Sequence, residues 1–253
     1  MKKIAIVTGA SSGLGSHFVR QLDLKYNLDE IWMVARRENK MKKIASKLKK
    51  TKAILIKCDL SNLDDINKTS NKLKKEKAKV MFLINSAGFG KIGSFHELSL
   101  EEQMAMIDVN IKALTAITYK VLPYLSKGSK IIQVASSAAF LPQPGFNVYA
   151  ATKAYVLHFS KALSVELKSR NIGVLALCPG PVKTEFFEIA SSDGKPLDWK
   201  AKFMVNAKDV VAKALNDAQS NKMESVYSFY MKLLKISSKI IPHELILKYF
   251  KWN

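Results

Sequence analysis

Tyr149 and Lys153 stand four residues apart in the run Tyr-Ala-Ala-Thr-Lys, a spacing that brings both side chains to one face of a helix. A phenol ordinarily titrates near pH ~10, so it moves protons at neutral pH only where a fixed cation stabilises its phenolate. Lys153 is the cation at hand. Lowering a phenol by roughly three units takes about 4 kcal/mol of differential stabilisation, which a lysine, a cofactor charge and partial desolvation can supply together. The pair reads as proton-transfer chemistry, with a plain solvated helix face as the alternative.

A second chemical feature lies near the amino terminus, in Thr8-Gly9-Ala10-Ser11-Ser12-Gly13-Leu14-Gly15. It follows the apolar run Lys3-Ile4-Ala5-Ile6-Val7, which reads as a short buried strand. Gly9 suits a tight turn off that strand, Gly13 lets a phosphate approach the backbone, and Gly15 lets the next helix pack close. A helix starting near Leu14 aims its unpaired amides and positive dipole end at a pyrophosphate. Ser11, Ser12 and Leu14 belong to the same turn, whose spacing departs from the commoner Gly-x-Gly-x-x-Gly pattern.

These residues need a frame, and the periodicity supplies one. Val/Ile/Leu/Ala-rich strands are expected at Ile4–Thr8, Ile31–Ala35, Ala53–Lys57, Val80–Asn85, Lys130–Ser136 and Gly173–Cys178. Helices are expected between them at Leu14–Lys25, Glu38–Lys49, Leu63–Lys75, Leu100–Leu125 and Tyr149–Lys168. Alternation of this kind predicts an α/β fold of Rossmann type, a doubly wound parallel sheet in a single domain spanning residues 1–253. In such sheets ligands bind beyond the carboxyl ends of the strands, where the chemistry-bearing residues fall.

With Thr-Gly-x-x-x-Gly-x-Gly at the start and Tyr-x-x-x-Lys far downstream, the chain resembles the short-chain dehydrogenase/reductase family over nearly its whole length. Asn85-Ser86-Ala87-Gly88 is similar to the family's Asn-Asn-Ala-Gly, with Ser86 in place of the second asparagine. Val109-Asn110 matches its helix asparagine, and Ser136 precedes Tyr149 by the family's thirteen residues, with Ser137 as a competitor. Pro179-Gly180-Pro181-Val182-Lys183-Thr184 matches its Pro-Gly-x-x-x-Thr segment, and Asp59-Leu60 its adenine-flanking pair.

The resemblance implies a nicotinamide-dependent oxidoreductase in which hydride passes between cofactor and a carbonyl or alcohol. It implies Tyr149 as acid-base, Lys153 holding the nicotinamide ribose, Ser136 orienting the substrate oxygen and Asn110 holding a relay water. Gly9 to Gly15, Asn85, Ala87, Gly88, Pro179, Gly180, Val182 and Thr184 are the implied cofactor neighbours. NADP(H) is the expected cofactor, with NAD(H) as the other admissible one. An acidic residue after the second strand bonds the ribose hydroxyl of NAD, whereas here Ala35 is followed by Arg36 and Arg37, which can grip a phosphate. Ser12 stands where many NADP-using relatives carry a basic residue.

The substrate reading rests on aromatics. Phe186, Phe187, Ile189, Trp199, Phe203 and Met204 read as a lid over about 181–204, interrupted by Ser191-Ser192-Asp193-Gly194, with Phe140, Pro142 and Phe146 facing it and core packing of these aromatics as the alternative. An apolar ketone or aldehyde is expected, as in a carbonyl reductase. The alternatives are a 3-oxoacyl-carrier-protein reductase and a non-catalytic dinucleotide-binding sensor. The formal charge of +20, from 41 basic and 21 acidic residues, includes only Arg20, Arg36, Arg37 and Arg170 as arginines. It therefore reads as a lysine-biased solvated surface rather than a nucleic-acid binder.

No apolar run reaches membrane-spanning length, and the run after Met1-Lys2-Lys3 stops at Thr8, short of a signal peptide, so a cytoplasmic protein is expected. Cys58 and Cys178 read as buried free thiols, and His17, His96, His158 and His243 lack metal-ligand spacing, so no metal is expected. About residues 228–252, two amphipathic segments meet at Pro242. Packing onto the domain near the lid, or onto a partner subunit, is favoured there over an interfacial membrane helix. The resemblance also implies a homodimer or homotetramer through Leu100–Leu125 and Tyr149–Lys168, where Met104, Ile107, Ile111, Leu114 and Ile117 recur at a helical spacing that equally fits packing on the sheet.

Overall fold

Every strand expected from the sequence takes its place in one parallel sheet. A computed structural model describes residues 1–191 and 203–248. Ser192, Asp193, Gly194, Trp199, Tyr249, Phe250 and Trp252 lie outside the described residues. Among those described, the strands are β1 (Lys3–Thr8), β2 (Glu30–Ala35), β3 (Lys52–Lys57), β4 (Lys79–Asn85), β5 (Leu125–Val134), β6 (Gly173–Leu177), β7 (Val182–Lys183), β8 (Val205–Asn206) and β9 (Glu224–Ser225). The helices are α1 (Gly13–Lys25), α2 (Glu38–Ala45), α3 (Leu63–Glu76), α4 (Leu100–Ile107), α5 (Leu114–Val121), α6 (Asn147–Glu166), α7 (Phe186–Ala190), α8 (Ala207–Gln219), α9 (Phe229–Ile240) and α10 (His243–Lys248).

The main sheet has seven strands in the order β3-β2-β1-β4-β5-β6-β9, all parallel, and β7 and β8 form a separate parallel ribbon. Chain order reverses between β1 and β4, the switch point at which doubly wound sheets open a crevice. Alternate residues of each strand feed opposite faces. Ala5 and Val7 pack with Phe18, Leu22, Met41, Val210 and Leu215 on one side, while Ile4 and Ile6 pack with Ile66, Leu73, Ile117 and Leu163 on the other. Burying each such side chain contributes about 1.5–3 kcal/mol. The buried Trp32 indole donates to Glu30 Oε2 at 2.9 Å, so its polar edge is also satisfied.

Several boundaries depart from the sequence expectation. α2 ends at Ala45, not Lys49, because the backbone amides of Lys49, Lys50 and Thr51 donate to the Asp23 carboxylate at 2.8–3.0 Å and lead the chain into β3. The expected helix Leu100–Leu125 divides into α4, a π-helical turn over Asp108–Ala113, α5 and a 3-10 turn over Leu122–Tyr124. Ser99 caps α4 by accepting from the Glu102 amide. β5 begins at Leu125 rather than Lys130, with an irregular register against β4 between Val80 and Phe82. Ser129 Oγ donates to Val80 O across that irregularity at 2.7 Å.

Candidate active site

The carboxyl ends of the strands surround a cavity of about 590 Å³. From the β1 end come Gly9, Ser11, Ser12, Gly13 and Leu14; from the β2 end Ala35, Arg36 and Arg37; from the β3 end Asp59 and Leu60. The β4 end adds Ala87 and Gly88, the β5 end Ser136 and Ser137, and α6 adds Tyr149 and Lys153. Pro179, Gly180, Val182 and Thr184, after β6, close the ring. Gly15, Asn85 and Asn110 do not line it, and each has a different neighbour.

Gly9 turns the chain off β1 at φ +64°, and a Cβ there would lie 2.8 Å from the Ala87 backbone. At Gly15 a Cβ would lie 2.3 Å from the Gly9 carbonyl oxygen, so α1 packs against the turn through a missing side chain. Asn85 donates to Thr118 Oγ1 and Gln133 Oε1, both at 2.9 Å, inside the protein behind the cavity wall. The loop after β4 is fixed instead by Thr8, whose Oγ1 accepts from the Ser86 and Ala87 amides at 3.1 Å.

Asn110 lies in the π-helical turn and is buried. Its amide donates to Phe89 O at 2.9 Å and to Thr152 Oγ1 at 3.0 Å, and its oxygen accepts from Phe89 N at 3.1 Å. It thus ties the loop after β4 to α6. A Cβ on Gly88 would come within 2.9 Å of Asn110 Oδ1 and 3.2 Å of Lys153 Nζ, so both groups border that glycine.

Tyr149 is buried, its ring stacked on Phe146 at 4.2 Å between centroids and tilted against Phe186 at 5.5 Å. Burial pushes its phenol up to about 12, and a hydrogen bond with Ser136 pulls the other way. That bond favours Ser136 over Ser137 as the partner of the phenol. Lys153 Nζ donates to Val134 O at 2.8 Å and stands 5.6 Å from the centre of the Tyr149 ring. Burial lowers its ammonium to about 8, which makes it the more labile of the two groups.

At the far end, Arg37 donates to Ser12 Oγ at 2.6 Å and to Ser11 Oγ at 3.3 Å. The Arg36 side chain has no hydrogen bond or ion pair among the described residues. Ser12, at the N-cap of α1, makes no side-chain cap bond, so the first-turn amides of that helix remain for an anion.

Of the expected lid residues, Phe186, Phe187 and Ile189 line the cavity, as does Phe146. Phe140 instead packs in a core cluster with Val156 and Leu157, and Phe203 sits on Tyr230 at 5.0 Å between ring centroids. Sequence reasoning missed Phe89, Gln143, Glu185, Met231 and Leu234 as wall residues. Glu185 directly follows the Thr184 motif, which was the available signal. Met231 and Leu234 come from α9, and nothing in their spacing points to this cavity.

The family model described as short chain dehydrogenase matches residues 3–194. The 11-beta-hydroxysteroid dehydrogenase-like 3 protein of Arabidopsis thaliana is 32% identical over 189 residues, 73% of this chain and 60% of that protein, so the matched stretch spans under two thirds of that relative. Oxidoreductase UcpA of Salmonella typhimurium is 28% identical over 220 residues, covering 85% of this chain and 82% of that one. A short-chain dehydrogenase from Sphingobium yanoikuyae, solved in complex with NADPH, superposes with a TM-score of 0.78 at 23% identity over 98% of this chain and 96% of that chain. At that identity the likeness is one of fold. The family match begins in β1 and runs past α7, so it takes in every wall of the cavity except Met231 and Leu234, and on that ground the chain belongs to the short chain dehydrogenase family.

Proposed function

We propose that the protein is an NADP(H)-dependent oxidoreductase that reduces an apolar ketone or aldehyde, with the reverse oxidation open to the same residues. The observation that carries this reading is the pairing of half-buried Ser136 with buried Tyr149 at one end of a cavity whose other end carries Arg36 and Arg37. The residues fit a dinucleotide: a glycine turn without side chains, uncapped helix amides for a pyrophosphate, and cations beyond it. When bound, the nicotinamide supplies or accepts the hydride.

The chain's own residues then handle the proton. Ser136 donates to the carbonyl oxygen and holds it toward Tyr149, whose phenol, kept neutral by burial, gives its proton as charge develops. Lys153 holds the ribose hydroxyls and, as a cation, offsets the negative charge left on the phenolate. Asn110, bordering the same glycine as Lys153, is the positioning residue for the loop after β4 and for the water through which the proton is restored. Asp59 and Leu60 would flank the adenine, and Arg36 supported by Arg37 would hold the 2′-phosphate. The NADPH bound to the Sphingobium yanoikuyae protein supports this choice, and NAD(H) stays the lesser cofactor.

The substrate class follows from the wall around Tyr149. Phe89, Phe146, Phe186, Phe187, Ile189 and Met231 present apolar surface there, and the hydroxysteroid name of the Arabidopsis relative agrees with a bulky apolar carbonyl. β7, at the start of the stretch 181–204, pairs with β8, directly after it, and this supports a lid hinged at that ribbon. Exposed Met104, Tyr119, Tyr155 and Val165 on α4, α5 and α6 support a homodimer or homotetramer through those helices.

A panel of ketones, aldehydes and alcohols, followed by the change in reduced-cofactor absorbance with NADPH and NADH, tests the reading. Turnover of apolar carbonyls with higher kcat/KM for NADPH is the expected result. Tight cofactor binding with no turnover anywhere in the panel points instead to a dinucleotide sensor. Equal or better efficiency with NADH removes the role given to Arg36.

A further inference from the structure

α9 carries apolar residues on two opposite sides. Met231 is buried against Gly180, where an added Cβ would lie 2.7 Å from its Cγ, and with Leu234 it walls the cavity. Packing near the lid accounts for that side alone. Phe229, Leu233, Ile236 and Ile240 recur at i, i+4, i+7 and i+11 on the other side, and they are 73, 55, 55 and 74% exposed. Exposed Ile241 and Leu245 continue the patch into α10. A helix already packed along one side has no folding reason for a second continuous apolar stripe.

The charge around the stripe says what it meets. Between Ser228 and Lys248 stand Lys232, Lys235, Lys239 and Lys248 against the single acid Glu244. Lys235 is taken by Glu224 at 2.9 Å, whereas Lys232, Lys239 and Lys248 are exposed and make no ion pair among the described residues. At 100° per residue, Lys232 and Lys239 run along one border of the stripe.

We propose that the outer side of α9 and α10 is an interfacial anchor that lies on an anionic membrane surface. The apolar stripe enters the boundary between headgroups and acyl chains, and the lysines meet anionic headgroups. No described helix is long and apolar enough to cross a bilayer, so the attachment is one of lying on the surface. A second copy of the chain fits the patch poorly. A two-fold contact would press Lys232 and Lys239 against their own counterparts on a chain already at +20, with Glu244 as the one acid between Ser228 and Lys248 to receive them. Because the inner side of α9 walls the cavity, one helix then stands between lipid and the reacting groups, a path suited to an apolar substrate. The docking is independent of which reaction the cavity performs.

The test is flotation of the full-length protein with vesicles of phosphatidylcholine containing phosphatidylglycerol, against pure phosphatidylcholine, at physiological salt. Preferential flotation with the anionic vesicles is expected. The double variant Leu233→Glu, Ile236→Glu should lose at least about tenfold in vesicle affinity, the scale set by removing two buried apolar side chains. Lys232→Glu with Lys239→Glu should abolish the preference for phosphatidylglycerol. NADPH binding and thermal melting unchanged in both variants certify an intact fold. No flotation of the unmodified protein, or undiminished flotation of the first variant, overturns the proposal. So does a dimer that falls to monomer in that variant, which assigns the stripe to a second copy.

Discussion

Arg37 and Glu185, 148 residues apart in the chain, face each other at 2.8 Å at the edge of the cavity. The second Glu185 oxygen accepts from Lys40 at 2.8 Å, and Arg37 keeps its bonds to Ser11 and Ser12. One carboxylate therefore joins the loop after β2 to the loop after β7, and it engages the cations that the proposed 2′-phosphate would seek. With the partners 41 and 34% exposed, such a pair contributes about 0–1 kcal/mol.

Glu185→Gln should consequently tighten NADPH by up to about fivefold and leave NADH unchanged, because only the phosphate competes for Arg37 and Lys40. Arg36→Ala should weaken NADPH by about 1.5–3 kcal/mol, the scale of a hydrogen bond to a charged group, again with little effect on NADH. Fluorescence titration of both cofactors reads both variants. Parallel shifts for the two cofactors would count against the phosphate assignment.

Tyr149→Phe keeps the ring against Phe146 and removes the transferable proton. Turnover should fall by at least about 100-fold while cofactor affinity stays near normal. Near-normal turnover of a genuine substrate by this variant would remove Tyr149 from the chemistry.

Lys153 gives the reaction its pH dependence. Burial lowers its ammonium to about 8, so the group is charged below that pH and loses its charge as pH rises through it, while Tyr149, raised to about 12, stays protonated. Reductive kcat/KM should therefore be flat at lower pH and decline above about 8. Lys153→Arg, which stays charged, should act more slowly but show no decline in that range. An unmodified protein whose activity rises through the same range would contradict the assignment.

Gly15→Ala asks the Gly9 carbonyl, a backbone atom, to yield to a Cβ 2.3 Å away. A loss of about 1–3 kcal/mol or more is expected, together with weaker cofactor binding, since the amides of α1 move with the turn. Chemical denaturation and the same fluorescence titration measure both.

The sheet, the glycine turn and the Tyr149 pair were legible because each is local: a period-two apolar run, a strand followed by glycines, a four-residue helical spacing. What escaped depends on partners distant in sequence. The end of α2 is set by Asp23, the side-chain direction of Asn85 by Thr118 and Gln133, and the bonds of Asn110 by Phe89 and Thr152. β9 is two residues long and pairs only with β6, too short to carry a period of its own. The aromatics expected to face the lid divided because Phe140 joins the core cluster of α6 and α9 while Phe146 lines the cavity, a direction that aromatic content does not encode.

The reversal of strand order between β1 and β4 has a consequence for how this protein can change. The cavity-lining residues from Gly9 to Ser61 all lie on the first three strands and their loops, whereas Ser136, Tyr149, Lys153 and the aromatic wall come from later in the chain. The two stretches are joined at Glu185, which belongs to the later one and reaches back to Arg37 and Lys40 in the first. A change of the first stretch alone therefore leaves Glu185 facing whatever replaces Arg37 and Lys40, so position 185 has to change with it, whereas the aromatic wall at Phe146 and Phe186 can vary without touching those cations.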